Sequence, residues 1–151
     1  MKKSNIFSAP IKKVKTNYFT GPAKLHNISG ITKPNEHDMY HVTFKKSSRT
    51  KLHFHTGAQL LIVTKGNGSL IYYRKIGNGI SKFKIRKTGM VNLKCGDVSY
   101  IPAKIMHTHG STKKNTIFSH IAINFYSKNH KKSKTTWYES DLRSNVISKI
   151  P

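Results

Sequence analysis

The chain has 151 residues, with 28 Lys and Arg against 5 Asp and Glu and a formal net charge of +23 at pH 7. That length makes one domain, long enough to bury a core without covalent staples. The single Cys95 excludes an intramolecular disulfide and fits a reducing compartment, and no apolar run approaches the length of a membrane span.

Residues 1–17 read as an arm, with Lys2, Lys3, Lys12, Lys13 and Lys15 and little periodicity. Met1-Lys2-Lys3 is not followed by the apolar segment of a signal peptide, so a soluble, cytoplasmic protein is expected. Tyr18 to Ile28 reads as a strand broken at Gly21-Pro22, and Ser29 to Asp38 as a loop. Met39 to Lys45 alternates like a strand, with Ser47-Ser48-Arg49 as the turn after it. Leu52 to His55 and Gln59 to Lys65 are strands joined through Thr56-Gly57-Ala58, with Gly66 and Gly68 closing the second. Leu70 to Lys75 and Ile80 to Arg86 flank the turn signal Gly77-Asn78-Gly79. Val91–Leu93, Val98–Pro102, Met106–Gly110 and Thr116–Phe125 read as four more short strands, and Asn129–Lys134 as a basic linker. Leu142, Val146 and Ile150 then recur at i, i+4 and i+8 behind Ser140 or Asp141, which predicts a short helix over 137–151. The expected fold is all-β, a sandwich or jelly-roll barrel over 18–136 with a C-terminal helix.

The charge excess is mostly Lys and spread along the chain, together with abundant Ile and Asn, as an AT-rich genome would produce. A solvated surface is expected from it: no specific nucleic acid, no membrane, and at most non-specific, salt-dependent binding of polyanions. Gly-rich phosphate loops, nucleophile elbows and paired carboxylates do not occur in the sequence.

The chemistry concentrates elsewhere. His53 and His55 are two apart, so on a strand both imidazoles face the same side. Gln59 opens the next strand on the face of Leu61 and Val63, and His107 follows a Gly96-x5-Pro102 segment. Ligand-type side chains converging on one pocket predict a metal site at His53, His55, Gln59 and His107.

These residues resemble the two motifs of the cupins. His53, His55 and Gly66 match the first motif, with Gln59 in its Glu position; Gly96, Pro102 and His107 match the second, where Lys104 and Ser111 replace a Gly and an Asn. Arg49-Thr50, the run from His53 to Thr64 and Ser119-His120-Ile121-Ala122-Ile123 resemble a subgroup of small single-domain cupins in which Gln replaces Glu. Some members of that subgroup are manganese-dependent hydroxynitrile lyases. The resemblance implies a cupin jelly-roll and one divalent metal per subunit, Mn or Fe, with Ni or Zn also compatible. Against the subgroup, the region Tyr73–Val91 is long enough to imply an insertion.

Three imidazoles and an amide leave a divalent ion its full charge, which favours an anionic or carbonyl-bearing guest and Lewis-acid over oxidative chemistry. His120 shares strand parity with Ala122 and Asn124, and the resembled lyases carry a His there. It is the first candidate for catalytic base, and His109, in parity with His107, is the second. Tyr40, Val42, Leu52 and Phe125 are candidates for the cavity wall. His26, His37, His41 and His130 are read as inert. Three functional classes remain: a lyase-type enzyme on a hydroxy or carbonyl substrate, a metal-dependent dioxygenase, and a non-catalytic binder. Leu60, Ile62, Ile121 and Ile123 lie opposite to the pocket parity and predict an apolar face covered in a homodimer.

Overall fold

A computed structural model describes residues 1–129 and 131–151; His130 lies outside the described residues. The elements in chain order are β1 (Ala23–Asn27), a one-turn helix α1 (Ser29–Thr32), β2 (His37–Phe44), β3 (Leu52–His55), β4 (Gln59–Lys65) and β5 (Asn67–Ile76). They continue with β6 (Phe83–Lys94), β7 (Val98–Ile101), β8 (Met106–Ser111), β9 (Phe118–Phe125), β10 (Thr135–Ser140) and β11 (Asn145–Ile150). Five strands pair antiparallel in the order β1-β2-β9-β4-β7, and six close on one another in the order β10-β11-β6-β5-β8-β3, with β10 returning to β3. Among the described residues no helix is long and apolar enough to cross a membrane.

Strand parity builds two cores. Val42, Phe44, Leu61, Val63, Leu70, Leu93, Ile101, Phe118 and Ala122 are buried as one cluster. Leu52, Tyr73, Phe83, Ile85, Met106, Tyr138 and Val146 form a second cluster. In β3 the side chains alternate, so Leu52 belongs to the second core while its neighbour His53 faces the other way. Leu52 therefore does not line the cavity as expected.

The C-terminal segment is a β-hairpin, not a helix. A spacing of four is twice the strand period, so Val146 and Ile150 can share a buried strand face as readily as a helix face. Asp141 does act as a cap, but of a turn: its carboxylate accepts from the backbone N–H groups of Arg143, Ser144 and Asn145 at 2.8, 2.8 and 2.9 Å. The strand-forming run Thr135-Thr136-Trp137-Tyr138 pairs with β3, which makes 137–151 an integral part of the closed sheet. Val91–Leu93 is likewise no separate strand; the long hairpin of β5 and β6 runs through it with a register shift near Tyr72 and Tyr73. Strand structure starts at Phe83 rather than Ile80, and the loop 29–38 contains α1 and the start of β2.

The arm lies along the edge of β1. Asn27 N–H donates to Pro10 O at 2.7 Å and Lys12 N–H to Leu25 O at 2.9 Å, so residues 10–12 extend the five-stranded sheet. The other clamp is Arg49-Thr50, which ties the start of β3 to β8. The Arg49 guanidinium donates to Ser69 Oγ, Ser69 O and Thr108 O, and the backbones of Thr50 and His109 are bonded at 2.9 Å. Gly110 makes this approach feasible, since a Cβ there would stand 2.5 Å from Arg49 Cα and from Ser48 O. Backbone must move to admit it. Gly110→Ala should therefore destabilise the protein by about 1–3 kcal/mol, the usual cost of overpacking, read as a lower urea midpoint at unchanged slope.

Candidate metal centre

Two strands deliver the three imidazoles. His53 and His55 come from β3 on one face, and His107 from β8 stands directly across from His53 in the ladder. One ring nitrogen from each of the three lies within 4.8 Å of the other two, and all three residues are buried. Each ring is tethered at its far side. His53 Nδ1–H donates to Lys51 O at 2.9 Å, His107 Nδ1–H to Ile105 O at 2.8 Å, and His55 Nδ1 is bonded to Thr135 Oγ1 at 2.8 Å. A neutral imidazole whose proton is at Nδ1 has its lone pair at Nε2, so the tethers aim three lone pairs at one point. They supply the outer hydrogen bonds that metal-binding histidines normally have.

Gln59, at the start of β4, stands beside the triad. Its Nε2 donates to Asn124 Oδ1 at 2.7 Å and lies 3.1 Å from His55 Nε2. Gln59 Oε1 and His107 Nε2 are buried with no hydrogen-bond partner. A buried acceptor without a partner costs free energy comparable to a lost hydrogen bond, and His107 Nε2 is such an acceptor within the triad. The donor set of three imidazole nitrogens, without thiolate, fits a divalent ion of the transition series.

Burial sets the protonation state. Desolvation, reinforced by neighbouring imidazoles, holds His53 and His109 well below the usual histidine range, and it pulls His55 down to about 3. Desolvation also lowers His107 to about 4, against the opposing pull of Ile105 O, and His120 to about 3. All five are therefore held neutral at pH 7, as ligation requires of His53, His55 and His107.

The cavity above the triad has a volume of about 310 Å³. Its inner wall includes His53, His55, Gln59, His109, Thr135 and Trp137, with Val42 as expected; Tyr40 and Phe125 are not part of the lining. His120 does not line it either. It is fully buried behind His109, with His120 Nε2 3.0 Å from His109 Nδ1, while His109 itself faces the cavity. Of the other histidines, His41 is bonded to Thr64 Oγ1 and His26 to Ala9 O, both away from the site.

Trp137 was hidden from sequence reasoning by the predicted helix. Its ring stacks on His53 at 4.2 Å between centroids and on Tyr18 at 4.5 Å, forming one wall of the cavity. The alternation Thr135-x-Trp137 beside a β-prone run is the signal that could have placed it, since Thr135 and Trp137 both point to the site.

A family model described as Cupin matches residues 31–150. Among solved structures, a cupin-like protein of Thermotoga maritima is 28% identical, with a TM-score of 0.64 over 91% of this chain and 90% of that one. A sugar phosphate isomerase of Silicibacter pomeroyi is 14% identical, with a TM-score of 0.63 over 92% and 82%. A polyketide cyclase of Streptomyces resistomycificus is 11% identical, with a TM-score of 0.61 over 83% and 79%. The last two share the fold alone. No curated protein matches the chain.

Neutral buried histidines have a consequence for stability against pH. Unfolded, each takes up a proton near 6.5; folded, His107 does so near about 4 and His55 and His120 near about 3. Between those values the unfolded chain binds more protons, so the folded state loses stability as pH falls, by up to about 1.4 kcal/mol per pH unit for each group. The metal-free protein should show a lower urea midpoint at pH 5 than at pH 7, where ordinary carboxylates contribute little. An unchanged midpoint would mean that these imidazoles are not held neutral by burial.

Proposed function

Because the chain belongs to the cupin family, we propose that it is an enzyme acting on a small molecule at one divalent metal held by His53, His55, His107 and Gln59. The carrying observation is the convergence of three tethered imidazoles, with His107 Nε2 buried and without a partner. Gln59 would join through Oε1, which has no other partner. A bound divalent ion supplies Lewis-acid stabilisation of charge on a substrate oxygen; Mn or Fe is proposed, with Ni and Zn compatible with the same donors.

The substrate class proposed is an anionic or carbonyl-bearing small molecule, and the reaction is lyase-type chemistry on a hydroxy or carbonyl group. The protein's own part is proton transfer and exclusion of water. His109 faces the cavity, and its Nε2 is buried without a partner. When its Nδ1–H donates to His120 Nε2, His109 Nε2 carries a free lone pair and can take a substrate proton. His120, first candidate for the base in the sequence, then acts through His109 by fixing its tautomer. Trp137, Phe19, Leu25 and Val42 form an apolar wall that keeps the reacting group dry.

Leu60–Ile123 and Ile62–Ile121 are cross-strand neighbours on the outer face of the five-stranded sheet. A second copy of the chain is proposed to cover that face, and sedimentation at micromolar concentration should return the mass of a dimer. Exposed, unpaired Cys95 suits the cytoplasmic location proposed for the protein.

The test is a screen of metal-loaded protein against 2-hydroxynitriles, 2-hydroxy acids and β-keto acids. For any compound turned over, His109→Ala should lower kcat by roughly 10²–10⁴-fold with metal content unchanged. His120→Ala should lower kcat less, and His120→Gln should restore part of it by keeping an acceptor for Nδ1–H. A rate that survives His109→Ala removes this residue from the chemistry. No turnover of any compound, with tight ligand binding, would instead favour a non-catalytic binder.

A further inference from the structure

The rim of the cavity is built by the arm. Residues Lys12, Lys13, Val14 and Lys15 line its mouth, and no Asp or Glu is among the lining residues. Two of the lysines are positioned by acceptors other than Asp or Glu side chains. Lys12 Nζ donates to Tyr40 Oη at 2.9 Å and sits 4.5 Å from the centre of that ring. Lys15 Nζ donates to Pro151 O at 2.7 Å, next to Tyr18, which itself stacks on Trp137. Among the described residues the one side-chain ion pair is Lys51 with Glu139, so no acidic side chain neutralises the rim. The backbone bonds from Pro10 and Lys12 to β1 fix the segment that carries them.

We propose that this rim is a second recognition element, and that the substrate is a small dianion. One oxyanion is taken at the histidine floor, and a second anionic group, carboxylate or phosphate, is taken by Lys12, Lys13 and Lys15. The proposal rests on the metal-dependent reading of the floor and adds the distal group to it. Floor and rim belong to one continuous cavity, with the apolar side chains of Phe19, Leu25 and Trp137 between them. A guest charged at both ends and short in the middle matches that distribution. The cationic mouth also concentrates anions before they enter, an effect that fades as salt shortens the screening length.

Trp137 is the single tryptophan of the chain and a wall of the cavity, so its fluorescence reports occupancy directly. The 151-residue protein, both metal-loaded and metal-free, is titrated at low salt with succinate against butyrate, and with 3-phosphonopropionate against propionate. Three proteins are compared: wild type, Lys12→Gln/Lys13→Gln/Lys15→Gln, and the charge-matched control Lys82→Gln/Lys84→Gln/Lys87→Gln on the β5–β6 hairpin. At least one dianion should bind about tenfold more tightly than its partner compound in wild type and control, and the ratio should collapse in the arm variant. The pair that shows the effect identifies the distal group as carboxylate or phosphate. A missing preference in wild type, or one that persists in the arm variant or falls equally in the control, overturns the proposal. Metal content is measured on the same samples. A lysine-dependent preference in protein that holds no metal keeps the rim and removes the metal reading. One ion per chain without any lysine effect removes the rim alone.

Discussion

Everything in the site depends on holding three neutral imidazoles with their lone pairs inward. The hydrogen bonds from His53 and His107 to Lys51 O and Ile105 O, and that of His55 with Thr135, do this without any charged partner. Each tether in turn depends on strand pairing: β3 with β8 places His53 opposite His107, and β3 with β10 brings Thr135 opposite His55. Arg49 and Thr50 lock β8 against the entrance of β3, so the clamp is part of the site although neither residue is a ligand. Inward lone pairs without partners weaken the fold by themselves, and the two apolar clusters offset that cost. A cation bound there would satisfy these lone pairs and stabilise the folded state.

The charge of the chain and the neutrality of the site's floor belong together. With +23 overall and one ion pair among the described residues, the surface potential is positive nearly everywhere. A carboxylate ligand in the Gln59 position would introduce a negative group beneath a cationic rim. Gln59 instead leaves the floor neutral, so a bound divalent ion keeps its attraction for an incoming anion. The arm extends the same logic outward, because Lys12 is held by the neutral Tyr40 hydroxyl and meets no acidic side chain. The recognition proposed for this cavity is electrostatic at both ends and apolar between them.

Much of the fold was legible because strand parity is written directly in residue spacing. His53 and His55 two apart, Gln59 with Leu61 and Val63, and the Gly77–Gly79 turn all lie where alternation and turn chemistry put them. The C-terminal helix was misread because Leu142, Val146 and Ile150 recur every four residues, a spacing that serves either period. Only partners distant in sequence decide between them: Trp137 across from His53, and Val146 across from Phe83. Parity also cannot say how deep a residue lies. His120 and His109 both point inward, yet His109 reaches the cavity and screens His120 from it. The arm was legible as basic, but its place at the cavity mouth comes from edge pairing with β1, which carries no local signal.

The central claim is that the converging imidazoles are a metal centre. Its most direct measurement is elemental analysis after reconstitution with Mn, Fe, Ni or Zn and exhaustive dialysis, on wild type beside His107→Ala. One ion per chain is expected in wild type and a strong loss in the variant, which removes a ring nitrogen that has no other partner. Wild-type protein that holds none of the four metals, or a variant that binds as well as wild type, would contradict it.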